Sequence, residues 1–166
     1  NEELGVSKEI YYFFDGNENN IKRYKENGIP LEEYGDRINS YEDALSNIKA
    51  MKEYAKNEME NNENSSSDDG FLEVIINYNR SIEYIVKKIR FFNIEEVYML
   101  VNEIETEFKQ ERELLGDLLG KIIIAAKRTA NGENLKKMIN MKNSLRSNVN
   151  VRSILFNFFN TLQEIV

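Results

Sequence analysis

Residues 71–92 read FLEVIINYNRSIEYIVKKIRFF, and the positions Phe71, Ile75, Tyr78, Ile82, Ile85, Ile89 and Phe92 follow one another at alternating steps of four and three. In an α-helix that spacing places the apolar side chains along one stripe, which must bury against a partner to leave water. The pattern resumes at Val97 and runs through Val101, Ile104 and Phe108, but the step from Phe92 to Val97 is five, so the stripe loses phase there. Asn93 stands at the slip, with Glu96 three positions on, the arrangement in which a side-chain cap starts a new helix. The spacing therefore predicts a break or sharp kink at Asn93, with a π-bulge as the alternative. An unbroken helix from Phe71 to Ala130 would be about 90 Å long, too long for a domain of this size.

Upstream, residues 61–70 read NNENSSSDDG, hold no apolar side chain and are read as an exposed loop. Before them the series Leu31, Tyr34, Ile38, Tyr41, Leu45, Ile48, Met51, Ala55 and Met59 predicts one long helix. Val6, Ile10 and Phe13, then Ile21 and Tyr24, form an earlier helical stretch that Asp15-Gly16-Asn17 interrupts and Gly28-Ile29-Pro30 ends. Downstream, Asn131-Gly132 closes the segment, and a last helix is expected from near Asn134 to the end of the chain. It is weakly patterned as far as Val151 and then carries the seam Val151, Leu155, Phe158, Leu162 and Ile165, with Phe156 and Phe159 on a neighbouring face. Nothing reads as a strand hairpin. These elements predict an all-α fold, an antiparallel up-and-down four-helix bundle formed by residues 1–166 as a single domain, with one helix broken near Asn93 to give five segments.

The residues that are missing narrow the function. The chain has no His, Cys or Trp. It therefore has no Ser-His or Cys-His nucleophile pair, no thiolate zinc site and no imidazole base, and the expectation is a protein that is not an enzyme and uses no metal or other cofactor. Carboxylate pairs such as Glu103 and Glu107 share a helix face, but the Glu-x-x-His motifs of di-iron bundles cannot accompany them. The run Ser66-Ser67-Asp68-Asp69-Gly70 lacks the ligand spacing of a calcium loop. No run approaches the roughly 18 consecutive apolar residues of a membrane-spanning helix. Asn1 in place of Met is read as the start of a trimmed or mature chain whose leader has been removed. Two N-x-S sequons, at Asn64 and Asn79, are expected by chance in so Asn-rich a chain.

Charge is unevenly spread. The whole chain carries −7, of which residues 1–70 carry −9 and residues 71–166 carry +2. Between Lys121 and Arg152 the cations Lys127, Arg128, Lys136, Lys137, Lys142 and Arg146 form a basic band opposed only by Glu133. Such a band either attracts phosphate, of an anionic lipid or a nucleic acid, or pairs with the acidic first half of the chain. Nucleic acid is the poorer reading, because the chain is acidic overall and carries no base-stacking motif.

Residues 114–128 read LLGDLLGKIIIAAKR. Leu114, Leu115, Gly116, Leu118, Leu119, Gly120, Lys121, Ile122, Ile123 and Ile124 combine a nearly continuous apolar surface with two glycines and flanking cations, the composition of a segment that lies in a membrane interface. A buried core helix has the same composition. Gly116 and Gly120 are four apart, share a helix face and would allow a neighbouring backbone to approach closely. Glu111 and Arg152 fall at seam positions and are candidate buried charges that would make the core conditionally stable.

An Asn-rich, Cys-free helical chain containing LLGDLLGKIIIAAKR resembles the secreted micronemal proteins with which malaria-parasite sporozoites traverse host cells. The resemblance implies a secreted four-helix bundle, stored in micronemes and acting on host-cell membranes, with Leu114 to Arg128 and Ile154 to Val166 as the segments matching that role. Under that expectation the partner is a lipid membrane, reached when buried apolar faces open. A surface or secreted module binding a host protein is the alternative, and the spacing sets no oligomeric state.

Overall fold

The computed structural model describes residues 4–34, 38–60, 68–130, 132–147 and 150–166. Among the described residues there are eight α-helices and three 3₁₀ turns, and no strand. The all-α class follows the heptad stripes, but the count departs from the four or five helices expected. Contacts group the chain into two compact units, Asn1–Ser81 and Ile82–Val166, with the boundary inside the fourth helix.

In the first unit, α1 (Lys8–Phe13) and α2 (Glu18–Asn27) are separated where Asp15 and Gly16 take positive φ of 53° and 70°. The Asn17 side chain accepts from the Asn20 N–H and starts α2, and Gly28, at φ 68°, ends it. The helix expected from Leu31 does not start there. Leu31–Glu33 is a 3₁₀ turn, and α3 spans Tyr41–Glu60. Side chains hold the non-helical stretch: Arg80 donates to the carbonyls of Leu31 and Tyr34, Tyr24 Oη accepts from the Leu31 N–H at 3.2 Å, and Asn27 Nδ2 donates to Tyr34 Oη at 2.6 Å. The helix begins instead where Ser40 Oγ accepts from the Asp43 N–H while Asp43 Oδ2 accepts from the Asn39 N–H.

Phe14, Ile21, Tyr34, Leu72, Ile75 and Ile76 form the core here, the last three contributed by α4 (Asp68–Lys88). Of the loop expected over 61–70, residues 61–67 lie outside the described residues, and Asp68–Gly70 belong to α4. Asn79 and Ser81 are buried polar residues of α4. Asn79 Nδ2 donates to the Phe13 carbonyl at 3.0 Å, and Ser81 Oγ donates to the Asn77 carbonyl and accepts from Asn47 Nδ2.

In the second unit the predicted break at Asn93 is present. A 3₁₀ turn, Ile89–Phe91, follows α4, and α5 (Ile94–Phe108) starts from a full capping box: Asn93 Oδ1 accepts from the Glu96 N–H at 2.9 Å, and Glu96 Oε2 accepts from the Asn93 N–H at 2.8 Å. A second break, at Lys109–Glu111, separates α5 from α6 (Arg112–Ala126), so the segment expected to run on to Ala130 is two helices. The expected last helix is also two, α7 (Gly132–Asn143) and α8 (Val151–Ile165), joined through the 3₁₀ turn Ser144–Arg146. Asn150 accepts from the Ser153 N–H and starts α8. Helix α8 packs on α5 and α7, and α6 on α7. The α5–α8 pair is antiparallel, since Arg152 at the start of α8 meets Asn102 and Glu105 late in α5, while Gln163 near its end meets the turn before α5.

Candidate functional site

Helix α6 carries the apolar segment singled out above, and its burial pattern decides what that segment does in this state. Leu114, Leu115, Leu118, Leu119, Ile122, Ile123 and Ala126 are all buried, and only Ile124 of the expected apolar set is exposed, at 43%. The spacing of the buried residues, two adjacent positions in each turn, leaves room for Gly116 and Gly120 on the flank of the helix.

The glycines do not make the close helix contact that their spacing allows. A Cβ placed on Gly116 would meet nothing within 4 Å, and one on Gly120 would meet only the flexible end of Lys142, with Nζ at 3.4 Å. Beside Gly116 a cleft of about 500 Å³ opens instead between α6 and the end of α7, lined by Arg112, Glu113, Gly116, Asp117, Lys142 and Arg146 among others. Three cations there face two carboxylates. Arg112 is fixed across the floor, donating from Nη1 to the carbonyls of Leu145 and Ser147 at 3.3 and 2.9 Å. Among the described residues Lys142 and Arg146 have no ion-pair partner, so their charge is directed at solvent.

The basic band is thereby divided. Lys142 and Arg146 stand at the cleft, near the start of α6. Lys127 and Arg128 follow the end of α6, where Arg128 Nη1 meets Glu83 Oε1 at 3.4 Å, and Lys136 and Lys137 are exposed in the first half of α7. Lys121 is half-buried on α6. The antiparallel course of α6 and α7 explains the division, because residues 127 and 142 fall at opposite ends of the pair.

Neither expected buried charge is deeply buried. Glu111 is half-buried in the turn before α6, which breaks the helix at the position where the seam would have enclosed a carboxylate. Arg152 lies at the margin of the α5–α8 contact with its side chain 42% exposed. It donates from Nε to Glu105 Oε2 at 2.6 Å and from Nη2 to Asn102 Oδ1 at 2.9 Å, and stands over the Tyr98 ring. The hydrogen bond to Glu105, and then its charge, raise the guanidinium above its ordinary, already high value.

One feature was not anticipated from the stripes. Phe91, in the 3₁₀ turn before α5, and Ile94, Tyr98 and Met99, at the start of α5, are exposed large apolar side chains, at 67%, 83%, 49% and 49%. Phe91 and Ile94 belong to neither seam, and apolar residues left off both seams beside a predicted break were the available signal. The carbonyls of Ile89 and Phe92, on either side of this tip, accept from Gln163 Nε2 at 3.0 and 2.7 Å.

No helix among the described residues is long and apolar enough to cross a membrane, and no group of acidic side chains there could hold a metal ion. No family model, curated protein or solved structure matches the chain.

Proposed function

We propose that the protein is a non-enzymatic, membrane-interacting helical module whose α6 keeps an apolar face sheathed in the free state and presents it on contact with lipid. One observation carries this reading: seven side chains of α6 are buried on a helix that also holds two glycines, of which Gly116 lines an open cleft and Gly120 meets only the end of the Lys142 side chain. Each glycine costs about 1 kcal/mol of helix propensity relative to alanine, and no close backbone contact offsets that cost here. Apolar content and local looseness thus coincide on one helix. Lys142 and Arg146 at the cleft, with Lys127, Lys136 and Lys137 exposed near the end of α6 and the start of α7, supply the attraction to anionic headgroups that would bring the helix to a bilayer. The resemblance to sporozoite micronemal proteins supports reading this as the activity of a secreted protein that acts on host-cell membranes during traversal.

The test is binding to, and leakage from, vesicles of phosphatidylcholine with and without phosphatidylserine, from acid to neutral pH, with helical content followed by circular dichroism. Leakage that grows with anionic lipid supports the reading. A folded protein that neither binds nor permeabilises any of these vesicles refutes it, and submicromolar binding to a defined host protein with no lipid effect would put a protein partner in its place.

A further inference from the structure

The turn between α4 and α5 presents two large apolar side chains in consecutive helical turns, Phe91 and Ile94, 67% and 83% exposed. Isolated exposed apolar residues are ordinary on protein surfaces, but three features set this pair apart. The first is rigidity. The capping box between Asn93 and Glu96 fixes the start of α5, and Gln163 from α8 ties down the carbonyls of Ile89 and Phe92, so the tip is held in place before it meets anything.

The second is the grading of polarity along the helix. Tyr98 lies one turn after Ile94 on the same face, about 6 Å further along the axis, and is half exposed beside Phe156, with ring centroids 5.7 Å apart. A stripe that is wholly apolar at its tip and phenolic one turn higher matches the change from acyl chain to headgroup over the outer 5–10 Å of a bilayer.

The third is charge. Lys87 and Lys88 are exposed on the last turn of α4 and have no ion-pair partner among the described residues, and Arg90 lies over the Phe91 ring at 4.6 Å. Arg152 lies over the Tyr98 ring at 5.9 Å while paired to Glu105. Against these stand Glu95, exposed, and Glu96, which is engaged in the capping box. Three cations close in sequence to Phe91 thus outnumber Glu95 and Glu96, and the Glu96 carboxylate is directed at the Asn93 N–H rather than at any of them.

We infer that the α4–α5 turn is an interfacial anchor, in which Phe91 and Ile94 enter the acyl boundary of an anionic bilayer while Lys87, Lys88 and Arg90 contact its headgroups. The inference rests on the membrane reading above and adds to it a docking surface that needs no opening of the fold. Anchoring at this turn precedes, and is separable from, any release of α6.

The chain has no Trp, so Phe91→Trp introduces a single indole reporter at the tip. On mixing with phosphatidylcholine vesicles containing phosphatidylserine, its emission is expected to shift to the blue, with little shift for phosphatidylcholine alone. Phe91→Glu/Ile94→Glu is expected to weaken vesicle binding at least tenfold with unchanged helical content. Phe91→Ser/Ile94→Ser serves the same comparison without added charge should the acidic variant misfold. Lys87→Gln and Lys88→Gln are each expected to cost about fivefold on anionic vesicles. If the unmodified protein binds vesicles and both tip variants bind equally well, the anchor is wrong while the membrane reading stands. If the unmodified protein binds no vesicle, both fall. A host protein bound through the tip in the absence of vesicle binding overturns the anchor in favour of a protein-docking surface.

Discussion

Arg152 at the start of α8 and Glu105 late in α5 are joined by an Nε to Oε2 bond of 2.6 Å, which sets the two antiparallel helices in register at the margin of their contact. The pair is short and well directed but partly exposed, so water and salt screen it. Arg152→Met is expected to lower the thermal midpoint at low ionic strength. The difference should shrink in about 1 M salt, where the screening length falls to about 3 Å. A deficit that persists in high salt would assign the contribution to the guanidinium over the Tyr98 ring and its bond to Asn102, which salt screens less. Glu105 raises the Arg152 pKa, so the linked stability is complete below the unfolded value and is lost only as pH rises beyond it. Melts at pH 7 and pH 10 should therefore differ equally between the protein and Arg152→Met.

Gly116→Ala and Gly120→Ala should each stabilise α6 by about 1 kcal/mol, because a methyl at Gly116 meets nothing and one at Gly120 needs only the mobile end of Lys142 to yield. Denaturant unfolding checks the gain. In the same variants vesicle leakage should slow while binding through the α4–α5 turn is unchanged. Faster leakage would show that the glycines do not loosen the helix.

Asn93→Ala removes one half of the capping box and should destabilise the second unit by about 1 kcal/mol, whereas Asn93→Gly should lose only a few tenths. Urea titrations of the two variants side by side test the ordering, and equal losses would contradict a role based on capping.

Gln163→Leu deprives the Ile89 and Phe92 carbonyls of their side-chain donor and should cost about 1–3 kcal/mol. Amide exchange measured by NMR should rise first around Ile89 to Asn93. Uniform loss of protection across α5 and α8 would instead indicate that the substitution disturbs their packing.

The parts of this fold that were legible are those where periodicity and capping chemistry agree. At Asn93 a phase slip coincides with a side chain able to accept from the Glu96 N–H, and the break lies there. At Gly28 a left-handed residue precedes Pro30, and the helix ends there. Periodicity alone misled between Leu31 and Ile38, where the apolar spacing continues but Arg80, Tyr24 and Asn27 hold Leu31 to Glu33 in a 3₁₀ turn that ends at an extended Tyr34. The first and third of those groups bond across 46 and 7 residues, so no local window contains them all. The Ser40 and Asp43 exchange was the local signal that marked the true start of α3.

The apolar character of residues 114–124 was likewise plain, and its burial follows from that character. The basic band was legible as composition but not as geometry. Its division depends on where α7 turns back, and the Gly116 and Gly120 spacing indicated a close backbone approach where Gly120 meets the end of Lys142 and Gly116 lines a cleft instead. Lys52, 9% exposed on α3 beside Glu53, carries no local mark of its burial, since its position in the series resembles those of the surface lysines around it.

The sequon at Asn79 has a fate that its surroundings decide. Its amide already donates to the Phe13 carbonyl, and the hydroxyl of Ser81, wholly shielded from solvent, is engaged by Asn77 and Asn47. An oligosaccharyltransferase needs both groups accessible on an extended strand, so the finished first unit is a non-substrate, and a glycan could be added only to the nascent chain. Material made in a eukaryotic secretory host would then partition into unglycosylated native protein and a glycosylated fraction unable to close around Phe14.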